Sequence, residues 1–145
     1  MVRQGSRTGR CLRSDHLARL YRDGAGLAQD YQQAATWFSK AADQGSAWAQ
    51  GNLALLYIKG RGLPLDLSRG IALLRVAADQ NDSEAQYNLG YAYESGTGVP
   101  KDIQEAAKWY SRASDRGNAL ARTRLAGLLG GGGILGHLRQ LFGGL

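Results

Sequence analysis

Three patterns in this 145-residue chain have the residue types of a chemical site. Ser14, Asp15 and His16 supply the hydroxyl, carboxylate and imidazole of a hydrolytic triad. Consecutive residues on a helix point in different directions, however, so these three cannot converge on one substrate atom. The Gly-x-Gly of "YESGTGVPKD" at 93–102 has the look of a phosphate-cradling loop. That fingerprint also wants a preceding strand and a third glycine, and neither is present. Cys11 is the one cysteine, which rules out a disulfide framework within the chain, and two scattered histidines beside it indicate no metal site. The chain is thus expected to carry no catalytic residue, no metal and no cofactor.

The glycine turn has a simpler explanation, because it recurs. "YIKGRGLPLD" stands at 57–66 and "YRDGAGLAQD" at 21–30, each 36 residues before the next. Laid without a gap on 83–118, residues 47–82 match at 11 of 36 positions. Fixed self-similarity at such a period marks a stacked repeat architecture and takes precedence over single motifs.

Within each unit two helices can be read. Ala49, Leu53, Ala54 and Tyr57 form one stripe of a first helix, A. Ala106, Ala107, Trp109, Tyr110, Ala113 and Ser114 keep helical spacing in a second, B, with Lys108, Arg112 and Asp115 between them. The columns repeat: Leu17, Leu53, Leu89 and Leu125; Tyr21, Tyr57 and Tyr93; Ala41, Ala77 and Ala113. Small residues at Ala34, Ala41, Ala77, Ala106 and Ala113 let helix backbones approach, while Trp37, Leu73 and Trp109 fill wider gaps. Gly60 and Gly96 fall where helix A must stop in a left-handed closing residue. Asp30, Asp66 and Asp102 have the position of an N-cap for helix B. Gln33 and Glu105, three residues after the first and third of these, complete the spacing of a capping box.

The pattern Ala85, Leu89, Gly90, Tyr93, Gly96, Gly98, Val99, Asp102, Ala106, Trp109, Tyr110, Ala113, Gly117 resembles the Sel-1-like repeat, a relative of the tetratricopeptide repeat. The resemblance covers roughly residues 14 to 129. It implies an all-α solenoid, a right-handed superhelix of antiparallel helix pairs, generally non-catalytic and used as an adaptor that holds other proteins or peptides. Some secreted members of the family are cross-linked by a cysteine pair in each repeat, a device this sequence lacks. Arg13 stands where helix A of the first unit should have alanine, and the fourth unit breaks off after Leu129.

The expected organisation is a basic, mobile arm at 1–10, an array at 11–129 with units 11–46, 47–82 and 83–118 and a half repeat 119–129, and a tail at 130–145. In that tail, Ile134, Leu135, Leu138, Leu141 and Phe142 share one helical face, which suits a short helix at 134–142 standing in for the missing fourth helix B. Four glycines at 130–133 form the hinge, and a mobile appendage stays open as the other reading. Cys11 shares a column with Ala47, Ser83 and Ala119 and is expected to be a packed structural thiol. His16, in the column of Asn52, Asn88 and Arg124, is expected at the surface.

The net charge of +6 does not form a stripe: residues 1–22 carry +5, 119–145 carry +3, and 23–118 carry −2. Nucleic acid is therefore not the expected partner. No apolar stretch follows the N-terminal arginines and the tail is too short to span a bilayer, so a cytoplasmic protein without a transmembrane segment is expected.

In related helical arrays helix A lines the concave wall. The helix A positions not used for packing between repeats are Asp15, Arg19 and Arg22 in the first unit, Trp48, Leu55 and Ile58 in the second, and Glu84, Tyr87, Tyr91 and Glu94 in the third. Trp48, Tyr87 and Tyr91 are aromatic at columns that do not keep one residue type, which suggests a surface shaped for a ligand; extra packing between repeats is the other reading. A protein or extended peptide in the groove is the leading expectation, with specificity from Arg19, Arg22, Glu84 and Glu94. A small-molecule or glycan-binding accessory domain of an enzyme or cell-wall system is the alternative. It would require a deep pocket with converging polar groups.

Overall fold

A computed structural model describes residues 2–26 and 28–130. Seven helices and no strand occur among them: α1 Val2–Asp23, α2 Tyr31–Asp43, α3 Ala47–Lys59, α4 Leu67–Asp79, α5 Ser83–Ser95, α6 Ile103–Asp115 and α7 Ala119–Gly130. Helices α1, α3, α5 and α7 are the A helices; α2, α4 and α6 are the B helices. Helices α1, α3 and α5 each pack on the B helix that follows, and each B helix packs on the next A helix. The α1 helix starts at Val2, inside the stretch that composition reads as an arm. The expectations for the Cys11 side chain and for the tail beyond Gly130 lie outside the described residues.

Each B helix starts as its aspartate dictates. Asp30, Asp66 and Asp102 are extended, and their carboxylates accept from the backbone N–H of Gln32 and Gln33, of Arg69, and of Gln104 and Glu105. Satisfying first-turn donors this way is worth about 1 kcal/mol per helix. The capping box is not completed at its second half. The backbone N–H groups of Asp30, Asp66 and Asp102 donate to the carbonyls of Tyr21, Tyr57 and Tyr93 at 2.9, 3.0 and 2.9 Å. The Glu105 carboxylate turns to Lys108 at 3.3 Å instead. The cap amide has one proton, and the end of the preceding A helix takes it. That bond, copied three times, fixes the angle between the two helices of a pair.

The A helices have caps that the repeat alignment did not single out. Ser46, Asp82 and Asn118 accept from the N–H of Ala49, Ala85 and Ala121. Their column of small polar residues three positions before an alanine is a sequence-level start signal. At the other end Gly60 and Gly96 close α3 and α5 in the left-handed region, with φ of 64° and 76°.

The core runs between the pairs. Ala34, Ala41, Ala77, Ala106 and Ala113 are fully buried, as close backbone approach requires. Leu53, Leu89 and Leu125 are buried, and Leu17 at the first repeat is half-buried. Tyr21, Tyr57 and Tyr93 are all half-buried. Arg69 bonds the Tyr57 hydroxyl at 3.3 Å and Arg75 that of Tyr93 at 2.8 Å.

Candidate partner-binding face

The spacing of an A helix brings residues seven to eight apart onto one outer face, and stacking sets the faces of α1, α3 and α5 side by side. Three clefts lie on them. The first, about 270 Å³, is lined by Asp15, His16, Arg19 and Trp48. The second, about 470 Å³, includes Arg22, Asp23, Asn52, Leu55, Leu56, Lys59, Arg61 and Glu84. The third, about 390 Å³, includes Leu55, Ile58, Lys59, Tyr87, Asn88, Tyr91, Ala92 and Thr97. Moving 36 residues along the chain turns Arg22, Asp23, Asn52, Leu55, Leu56 and Arg61 into Ile58, Lys59, Asn88, Tyr91, Ala92 and Thr97. Both sets line a cleft, so one concavity has been copied at the repeat interval and given different walls.

Nine of the ten residues singled out on helix A line these clefts: Asp15, Arg19, Arg22, Trp48, Leu55, Ile58, Glu84, Tyr87 and Tyr91. Their surroundings differ. Trp48 packs edge-on against Phe38 at 5.4 Å and 61°, with the Arg22 guanidinium 5.7 Å above its ring. Arg22 is held in place by Asp23 at 2.7 Å and by the Asn52 side-chain carbonyl. Tyr87 tilts against the buried Tyr110 at 5.6 Å. Both aromatic rings therefore serve the packing between helices as well as forming cleft wall. Tyr91 is different: it is 44% exposed, with Arg124 over one face of the ring at 5.1 Å. Arg19 is exposed with its Nη2 3.5 Å from His16 Nδ1, and Glu84 is exposed in the first turn of α5.

Glu94, the tenth, lines none of the three clefts. Its carboxylate accepts from the Tyr110 hydroxyl and from Arg124 at 3.4 Å, which ties α5 to α6 and α7. Burial, more than the Glu94 carboxylate, pushes the Tyr110 hydroxyl far above its ordinary pKa. Folded Tyr110 keeps its proton while the unfolded chain loses it, so its contribution to stability is complete below pH about 10 and falls as pH rises further. A Tyr110→Phe variant should therefore show a shallower loss of melting temperature between neutral pH and pH about 11 than the parent. Parallel pH profiles for the two chains would overturn this account of the Glu94–Tyr110 contact.

The residues of the triad-like stretch face separate surroundings. Ser14 is buried, Asp15 accepts from Ser46 Oγ at 3.1 Å, and His16 is exposed beside Arg19. Burial raises the Asp15 pKa, and the Ser46 bond partly offsets it. Among the described residues no cluster of His, Cys, Asp and Glu could hold a metal ion, and no helix is long and apolar enough to cross a membrane.

Paired helices stacked in register, with caps and turns recurring every 36 residues, define an all-α repeat protein of tetratricopeptide-like architecture. Comparison gives the family. The Sel1 repeat matches residues 16–46, 49–82 and 83–118, and the chain belongs to the Sel1 repeat family. Sel1 repeats are generally protein-interaction modules.

Among solved structures, a Sel1 repeat protein from Oxalobacter formigenes is 38% identical, with a TM-score of 0.76 over 80% of this chain and 47% of that one. The c5321 protein, a protective antigen present in uropathogenic Escherichia coli strains and displaying an SLR fold, is 35% identical. Its TM-score is 0.74 over 87% of this chain and 26% of its own. The Helicobacter pylori cysteine rich protein B shares the fold at 24% identity, with a TM-score of 0.67 over 79% of this chain and 89% of that one. The chain thus spans about half the length of the first of these and about a quarter of the second. None of the curated proteins matches it.

Proposed function

We propose that this chain is a non-catalytic interaction module that holds an extended segment of a partner protein along the outer face of α1, α3 and α5. The row of three clefts carries the reading. An extended chain laid across α1, α3 and α5 meets the three clefts in turn, with the side chains on one of its faces recurring every second residue. Side chains spaced that way can each enter one cleft, which is how extended peptides are read in pocketed grooves. The walls differ from cleft to cleft, so the row can tell one sequence from another. A single small molecule or glycan would be served by converging polar groups in one deep site. Here the polar groups are instead divided among three shallow clefts, and most of them are bonded to one another.

Tyr91 is the anchor of this reading, because it is the exposed aromatic of the third cleft. A pull-down from the native host with the parent chain, run beside Tyr91→Ala, tests it. The expected result is a partner captured by the parent and retained at least about tenfold less by the variant, with the helical circular dichroism unchanged. Equal capture by both chains would discredit the groove.

A further inference from the structure

Resting on that groove reading, we infer that the partner segment carries a carboxylate two residues away from a large apolar side chain, the apolar group entering the third cleft and the carboxylate meeting Lys59. The third cleft is walled by Leu55, Ile58, Tyr87 and Tyr91, and Lys59 is its one charged lining residue. The same lysine also lines the second cleft, so it stands at the border between the two.

The other cations of the row are already committed. Arg19 reaches His16, Arg22 is paired with Asp23 and Asn52, and Arg61 bonds the Tyr31 hydroxyl at 3.3 Å and covers its ring at 5.3 Å. Lys59 is exposed and has no hydrogen bond, ion pair or ring partner among the described residues. Two carbonyls in the last turn of its own helix already have partners. The carbonyl of Leu56 takes the N–H groups of Gly60 and Arg61, and that of Tyr57 takes the N–H of Asp66. An ammonium with no bonded partner, beside an apolar wall, favours an anionic neighbour and penalises a cationic one.

The spacing follows from the helix. Leu55 and Lys59 stand four apart on α3, so their Cβ atoms are about 6 Å apart on one face. In an extended chain, side chains two residues apart point the same way and are about 6.6 Å apart. One intervening residue therefore matches the two groups, in either chain direction.

A random peptide library displayed on phage, panned in parallel against the full chain, its Lys59→Glu variant and its Leu55→Asp variant, tests this. Circular dichroism first checks that all three are equally helical. The expected result is that the parent enriches peptides with Asp or Glu two positions from a large apolar residue, that Lys59→Glu loses the acidic preference, and that Leu55→Asp loses the apolar one. A synthetic peptide from the parent's selection should bind Lys59→Glu about tenfold more weakly, with the difference shrinking as ionic strength rises. Peptides that depend on Leu55 but carry no acidic preference would overturn the Lys59 assignment and leave the groove standing. Failure to enrich any peptide that loses affinity for Leu55→Asp would overturn both.

Discussion

Replacing Gly62 by alanine should lower stability by about 3 kcal/mol, a fall of roughly 10 °C in melting temperature for a chain of this length. Two effects add. Gly62 has φ of 74°, a conformation that costs an L-residue about 1 kcal/mol. A Cβ there would also lie 2.3 Å from the Tyr31 carbonyl oxygen and 2.7 Å from the Gln32 amide nitrogen. Both atoms are backbone at the start of α2, so they cannot rotate away, and the second repeat would have to lift off the first. Gly26 is the matched control: its φ is 88°, and a Cβ there meets nothing within 4 Å. Gly26→Ala should cost only the conformational part. Gly96→Val, which strains the left-handed end of α5 at φ of 76°, should lower the melting temperature by several degrees. Thermal melts of the three variants check the order; equal losses for Gly62→Ala and Gly26→Ala would show that contact between repeats at this turn contributes nothing.

The second large effect is expected at Leu89. Its side chain is fully buried in the cluster of Ile71, Leu74, Ala85, Ala92 and Trp109, which joins α4, α5 and α6. Leu89→Ala removes the transfer free energy of the lost atoms and leaves a cavity among helices already held apart by Trp109, so a loss of about 3 kcal/mol is expected. Leu17 occupies the same column in the first repeat but is only half-buried, and Leu17→Ala should cost about half as much. In a nearest-neighbour array an inner interface supports both sides, whereas an end residue supports one. Urea titrations that place the two variants at the same midpoint would contradict this.

Much of the array could be read in the residues themselves. The helix pairs follow from apolar stripes at helical spacing, and the starts of α2, α4 and α6 fall at Asp30, Asp66 and Asp102 because an extended aspartate there satisfies local amides. Subtracting the packing columns leaves A-helix positions of which Asp15 through Tyr91 line clefts and Glu94 does not. What each one does there was not legible. Trp48 and Tyr91 look alike as exposed-face aromatics in the sequence, yet Trp48 is clasped by Phe38 and Arg22 while Tyr91 keeps an open face. Glu94 reads as a specificity charge, but it serves as acceptor for Tyr110 and Arg124. Those roles depend on residues 10 to 30 positions away, which no local pattern connects.

The turn glycines show the division most clearly. Period and composition alone determined that a left-handed stop recurs every 36 residues, because backbone sterics act within a few bonds of the residue concerned. Only stacking decided that the second glycine of the pair is open at Gly26, wedged against backbone at Gly62 and set against the Ile71 side chain at Gly98. Close approach is a property of two surfaces, and the second surface enters only when one repeat is laid upon another.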